Sequence, residues 1–265
     1  MSRPLIALLS DFGTADHYVG TMKGVMLGIC PEVALVDITH DVPPHDVRTG
    51  ARQLAASYKY FPAGTVFLAV VDPGVGSSRR GIAVETADHR FVAPDNGLLS
   101  AVLDEAPARR VVELTERKFA LATISRTFEG RDRFAPAAAW LAKGAAITTM
   151  GRSVTAPVRL EWPAIVERPD GIEGAVEIVD HFGNLVTNVA RDAVERLVRA
   201  GAIDIAIAGH PVPRLVATYA DVAAGDLCAL FGSSDHLEIA ISGGSAAAGL
   251  GVGVGAPVRL TRPGL

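Results

Sequence analysis

The sequence predicts an α/β N-terminal domain with a mainly parallel sheet, followed by a smaller, mainly β C-terminal domain. Three observations predict this. In the first half, short apolar runs alternate with helical patterns, which is how parallel strands joined by crossover helices read in sequence. Three of those runs lead into an aspartate, in Leu9-Ser10-Asp11, Val36-Asp37 and Val71-Asp72, a repetition that would line carboxylates along one sheet edge. From about Thr155 the texture changes to prolines, then to short β-like runs. The domains are therefore placed at 1–156 and 173–265, with a linker at 157–172 marked by Pro157, Pro163 and Pro169-Asp170-Gly171.

In chain order, strands are expected at 5–9, 34–38, 65–71, 81–85 and 91–93, and helices at 17–27, 47–60, 97–104 and 135–143. Beyond the linker, strands are expected at 175–179, 203–208, 228–231, 237–240 and 257–260, interrupted by one helix at 191–200. The stretch 243–255 is rich in Gly and Ala and reads as a small-residue packing surface in preference to a loop against which a ligand lies.

Composition narrows the function. Hydrophobic residues make up 49% of the 265-residue chain and charged residues 20%, which supplies a packed core and argues against long disorder. A net charge of −4 without any Lys/Arg run gives no basis for nucleic-acid binding. The apolar stretch after Pro4 is too short to span a membrane and lacks a signal-peptide cleavage pattern. Cys30 and Cys228 have no metal-ligand spacing and read as buried thiols of a reducing compartment, so a cytoplasmic location is expected.

The densest chemistry lies in Val70-Val71-Asp72-Pro73-Gly74-Val75-Gly76-Ser77-Ser78-Arg79-Arg80. Ligands of open α/β sheets bind outside the carboxyl ends of strands, so Asp72 points at a site. Arg79 follows within folding-back distance. The pair fits either positioning of a water or the bracing of a turn. Asp11 ends the first strand, where a carboxylate accepts two ribose hydroxyls as readily as it caps a turn, and Asp16 shares that ambiguity. The run Asp37-Ile38-Thr39-His40-Asp41-Val42-Pro43-Pro44-His45-Asp46 has the residue types of a metal site, but two prolines separate the histidines and Asp46 suits a helix N-cap. No metal is assigned to it. Phe128-Glu129-Gly130-Arg131-Asp132-Arg133-Phe134 is denser in acids, arginines and aromatics than a turn needs. Asp180, Phe182 and Asn184 close a strand of the second domain with groups suited to a planar heterocycle, although turn chemistry explains the segment almost as well. A G-x-G-x-x-G fingerprint, P-loop, G-x-S-x-G elbow and H-E-x-x-H are all absent from the sequence.

Together these segments resemble the S-adenosylmethionine hydroxide adenosyltransferases, the SAM hydrolases related to fluorinase and chlorinase. The resemblance rests on SDFG at Asp11, VDPGVGSSRR at 71–80, APDNG at 93–97, FEGRDRFAP at 128–136, DHFGN at 180–184 and HLEIA at 236–240. It implies hydrolysis of SAM to adenosine and methionine by attack at ribose C5′, with SAM as substrate and no cofactor. It further implies a homotrimer whose active sites lie between subunits. Asp11 would hold the ribose, beside Asp16 and Phe128. Asp180, Phe182 and Asn184 would contact methionine and nucleoside, with Ser233 and Glu238 nearby. Halogenases carry Tyr where this chain has Asp72, which favours hydrolysis, and the fluorinase carries Ser where it has Gly130. The hydrolases use an Asp-Arg-His set, matched here by Asp72 and Arg79, with Glu129 where the histidine stands. Two alternatives follow from that departure and from the relatives: a SAM- or adenosine-binding protein with little turnover, or a SAM-dependent halogenase.

Overall fold

The computed structural model describes residues 3–199 and 201–263, and the chain divides into two compact units after Leu160. The first unit runs β1 (Leu5–Ser10), α1 (Tyr18–Ile29), β2 (Ala34–Thr39), α2 (Val47–Tyr58), β3 (Val66–Val70), β4 (Gly81–Glu85), β5 (Arg90–Pro94), α3 (Ser100–Glu105) and β6 (Arg110–Glu113). A π-helical turn at Gly130–Phe134 then leads directly into α4 (Ala135–Ala142). The strands form one sheet in the order β2-β1-β3-β5-β4-β6. The pairs β1–β2, β1–β3 and β3–β5 are parallel, whereas β4 runs antiparallel to both β5 and β6, so the sheet is mixed.

The central strands are apolar on both faces because both faces are covered. Ile6, Leu8, Val66, Leu68 and Val70 pack with Met22 and Met26 of α1 and the alanines and Leu141 of α4. Ala7, Leu9, Phe67 and Ala69 alternate with them and are equally buried. On that side Phe67 stacks on Phe91 with centroids 5.0 Å apart, and Tyr58 of α2 meets the Phe91 ring edge-on. Burying such runs in sheet layers fixes the register in which the strand ends, and the loops after them, line up.

The second unit contains β7 (Val166–Arg168), β8 (Gly171–Val179), β9 (Leu185–Ala190), α5 (Arg191–Val198), β10 (Asp204–Ile207), β11 (His210–Val212), β12 (Leu227–Phe231), β13 (His236–Ile241), α6 (Ala246–Leu250) and β14 (Pro257–Thr261). Its strands pair antiparallel along the path β11-β10-β14-β8-β9-β13-β12, with β7 beside β8. The two ends of that path approach each other through a bridge between Leu215 and Ala229, leaving the sheet nearly closed.

Several boundaries differ from the sequence reading. Residues 157–172, expected as a linker, are shared out. Val158 N donates to Asp95 Oδ1 at 2.8 Å and Leu160 N to Ser100 Oγ at 2.8 Å, while β7 and the start of β8 lie in the second unit. The 243–255 stretch holds α6, capped by Ser245, whose Oγ accepts Ala248 N. The helix expected over 191–200 ends at Val198, and its expected last residue, Ala200, lies outside the described residues. Strand β9 went unread although Leu185, Thr187 and Val189 alternate inward with period two. No described helix is long and apolar enough to cross a membrane.

Candidate active site

Strand β3 delivers Val71 and Asp72 to the carboxyl edge of the first sheet. Asn96 Nδ2 donates to Val71 O at 2.8 Å, tying the strand end to the turn after β5. The chain then reverses: Val75 N bonds Asp72 O, Ser77 N and Oγ both donate to Gly74 O, and Ser77 Oγ accepts Arg79 N. Gly76 permits this turn because its φ is +77° and a Cβ there would stand 2.3 Å from Arg126 O. The reversal carries Arg79 back over Asp72. Arg79 Nε donates to Asp72 Oδ1 at 3.0 Å and Nη2 to Oδ2 at 2.6 Å, a two-pronged pair.

Glu129 completes the group from the other side. It sits at the mouth of the π-helical turn, and Arg79 Nη2 also donates to its Oε2 at 2.9 Å. The side chains of Asp72, Arg79 and Glu129 are only 5%, 8% and 12% exposed. The Phe134 ring lies under the Arg79 guanidinium at 5.3 Å, and Arg133 Nη2 stands 3.5 Å from Glu129 Oε1. Asp132 anchors this segment by accepting Arg131 Nε, Arg131 Nη2 and Ser125 N. Burial pushes its carboxyl up, but those donors outweigh burial and the net shift is downward.

Two carboxylates thus compete for Arg79, and Glu129 also has Arg133. Burial pushes the Asp72 carboxyl upward, Arg79 pulls it back, and Glu129 adds to the rise, leaving it above the ordinary aspartate value. A buried carboxylate with a raised pKa at a strand end is suited to accepting a proton.

Asp11 follows β1 on the same edge of the sheet, and its Oδ2 accepts His45 N at 2.9 Å. Beside it Phe128 is buried and packs edge-on to Tyr18 and Phe12, with ring centroids 5.0 and 6.1 Å away. Because Phe128 and Glu129 are adjacent, this aromatic cluster and the carboxylate cluster belong to one neighbourhood. Asp16 is exposed in the turn before α1. Asp37 departs from the expected row of carboxylates: it pairs with Leu8 inside β2 and bonds Lys23 and His40. Among the described residues no group of three or more His, Cys, Asp or Glu is placed to hold a metal ion.

The second unit has its own open cleft of about 1020 Å³, lined by Asp180, Phe182, Asn184, Ser233 and Glu238 among others. Asp180 closes the turn after β8: Oδ1 accepts the amides of Phe182 and Asn184, and Oδ2 accepts Asn184 Nδ2 at 2.9 Å. Phe182 is left 74% exposed at the rim, an aromatic face available for stacking. Glu238 is buried and accepts a short hydrogen bond from the Tyr219 hydroxyl. Burial raises the Glu238 carboxyl, the Tyr219 hydroxyl opposes this, and Asp180 adds to the rise. Burial and Glu238 in turn push the Tyr219 phenol up. Sequence reading missed Tyr219. Its one local signal was the Thr218–Asp221 capping box, which marks a turn and not a site. Asn96 and Arg133 stand in motifs that the sequence reading quoted, but it gave neither residue a role.

The first unit thus carries a buried carboxylate–guanidinium–carboxylate group at a strand end, and the second unit a cleft of its own lined by acidic and aromatic side chains. The chain belongs to the SAM hydroxide adenosyltransferase family: residues 6–151 match its N-terminal domain and residues 174–259 its C-terminal domain. It is 43% identical to a protein of Salinispora tropica named (R)-S-adenosyl-L-methionine hydrolase, over 97% of this chain and 98% of that one. A hydrolase of the same name from Thermus thermophilus is 40% identical over 96% and 98% of the two chains. A fluorinase of Actinopolyspora mzabensis is more distant, at 31% identity over 98% of each. Among solved structures, an uncharacterized conserved protein from Thermotoga maritima superposes with a TM-score of 0.91 at 35% identity, covering 97% of this chain and 100% of that one.

Proposed function

We propose that this protein hydrolyses S-adenosyl-L-methionine to adenosine and L-methionine, and that the R configuration at sulfur named for its relatives is its substrate form. The observation that carries the reading is Asp72, a buried carboxylate with a raised pKa held on two prongs by Arg79. Water attacks ribose C5′, the C5′–S bond breaks, and the electron pair leaves on a neutral thioether, so no general acid is needed. The water gives up its proton to Asp72. Arg79 already serves two carboxylates, so its task is to hold Asp72 and Glu129 in place and not to bind free hydroxide. Glu129, shared between Arg79 and Arg133, takes the third place in the set as the brace of Arg79. Proton acceptance of this kind contributes about 10²–10⁴-fold, and positioning supplies much of the rest.

Asp11 is assigned to the ribose hydroxyls, with Asp16 and Phe128 on the same side. Asp180, Phe182, Asn184, Ser233 and Glu238 are assigned to the remainder of SAM. The protein is proposed to act as a homotrimer with active sites shared between subunits and to need no cofactor. The buried, unpaired Cys30 and Cys228 support a cytoplasmic location. Halogenation is the weaker reading because two carboxylates beside the attack position repel a halide.

The test is incubation of purified protein with SAM and chromatography for adenosine and methionine, beside Asp72→Asn. Adenosine from the parent at a rate about 10²-fold or more above the variant supports the reading. Adenosine or SAM binding without turnover would replace it with the binding-protein alternative.

A further inference from the structure

The His40 segment, which sequence reading singled out and the proposed chemistry does not use, forms a connected chain of hydrogen bonds. Lys23 Nζ donates to Asp37 Oδ2 at 2.6 Å, His40 Nε2 lies 3.0 Å from Asp37 Oδ1, and His40 Nδ1 lies 2.7 Å from Ser10 Oγ. Phe12 N donates to the same Ser10 Oγ at 3.3 Å. Burial pushes the Asp37 carboxyl up, but Lys23 and His40 outweigh it and hold it below the ordinary value, so Asp37 is the acceptor. His40 Nε2 therefore faces an acceptor, and its Nδ1 bonds the fully buried Ser10 hydroxyl on the other side of the ring. Each side-chain polar atom of Ser10 and His40 thus has a partner, as their burial at 0% and 4% exposure demands.

This chain closes around one residue. Ser10 Oγ, held by His40, bridges to Phe12 N and so fixes the backbone on both sides of Asp11. The same segment returns to the end of β1 and the turn after it at three more points. Gly13 N donates to His40 O at 2.7 Å, Val42 N to Ser10 O at 3.4 Å, and His45 N to Asp11 Oδ2 at 2.9 Å. His45 makes its bond from a φ of +68°, a left-handed conformation that is costly for a residue with a Cβ. Backbone held in such a conformation is a mark of functional sites. Ser10 is too deeply buried to act as a nucleophile, so the Ser-His-Asp arrangement does not constitute a catalytic triad.

We propose that His40 is a positioning residue: with His45 it clamps Asp11 in the orientation that receives the ribose hydroxyls. This rests on the ribose assignment of Asp11. The test measures KM and kcat for SAM, and Kd for adenosine by calorimetry, in Asp11→Ala, His40→Ala, the double variant, His40→Asn and His40→Gln. Asparagine keeps a hydrogen-bonding group where Nδ1 meets Ser10, whereas glutamine reaches only toward Asp37. His40→Ala is expected to raise KM and the adenosine Kd about tenfold with kcat within about threefold. His40→Asn is expected to restore most of the loss, and His40→Gln little. The double variant is expected to bind no worse than Asp11→Ala within a factor of about two, because the clamp acts through Asp11. Penalties that multiply, or equal rescue by asparagine and glutamine, would overturn the clamp while leaving the ribose assignment standing. An unchanged KM and Kd in Asp11→Ala would overturn both.

Discussion

Arg79→Met removes the one cation that Asp72 and Glu129 share, and the structure sets the size of the effect. The three side chains are 5%, 8% and 12% exposed, so solvent screens the two remaining carboxylates poorly. Breaking a buried ion pair by deleting one partner costs about 3–5 kcal/mol. For a chain of this size that is a fall in Tm of about 10 °C. The loss depends on pH, and its sign follows from Asp72. Burial and Glu129 hold its folded-state pKa above the unfolded value, and the variant lacks the guanidinium that pulled it back. A raised carboxyl pKa means that the folded state binds more protons, so stability is gained as pH falls and lost as pH rises through that value. The deficit of Arg79→Met is therefore smaller at pH 5 than at pH 8, and adding Glu129→Gln recovers at least about 1 kcal/mol by removing one of the two like charges. Chemical denaturation of the three proteins at both pH values measures this. A deficit below about 1 kcal/mol, equal at both pH values and untouched by Glu129→Gln, would refute the reading of Arg79 as the shared cation.

The same raised carboxyl is expected to set an acid limb on turnover, with kcat/KM falling as pH drops through a pKa above the ordinary aspartate value, and a pH–rate profile in which Asp72→Asn retains that limb would contradict this. Gly232→Ala would put a Cβ 2.4 Å from Glu238 Oε2, so SAM titrations are expected to show binding weakened by about tenfold or more, with the first unit's melting unchanged. Because no metal-ligating group is assembled among the described residues, dialysis against chelator is expected to leave the rate of adenosine release within about 20% of the untreated protein.

Much of the first unit was legible because its strands are short apolar runs bounded by Asp, Pro and Gly, and such runs have few alternative structures. Asp72 and Arg79 were readable as neighbours because a seven-residue Gly-rich loop leaves few other ways to turn. Glu129 was not legible from spacing: it lies 50 residues from Arg79, and only the family resemblance placed it there before the π-helical turn did. Asp37 shows the opposite failure. The strand-ending pattern was real, but β2 runs to Thr39 and leaves Asp37 within it, paired with Leu8 and turned to Lys23 and His40. Tyr219 was invisible because its partner Glu238 lies on β13, and no local pattern announces a hydroxyl donating to a carboxylate 19 residues away. In the second unit β9 was legible from its period-two alternation yet went unread, whereas β7, β11 and α6 escaped notice for a physical reason. Short edge strands and an alanine-rich turn of helix have little periodicity of their own and are set by what packs over them.

Water, deprotonated toward Asp72, is proposed to attack C5′ of SAM. Turnover in water enriched in oxygen-18, with mass spectrometry of both products, tests it most directly. Adenosine is expected to carry one oxygen-18 atom at the 5′ position and methionine none. Unlabelled adenosine, label in the methionine, or cleavage to a thioether-bearing nucleoside would contradict it.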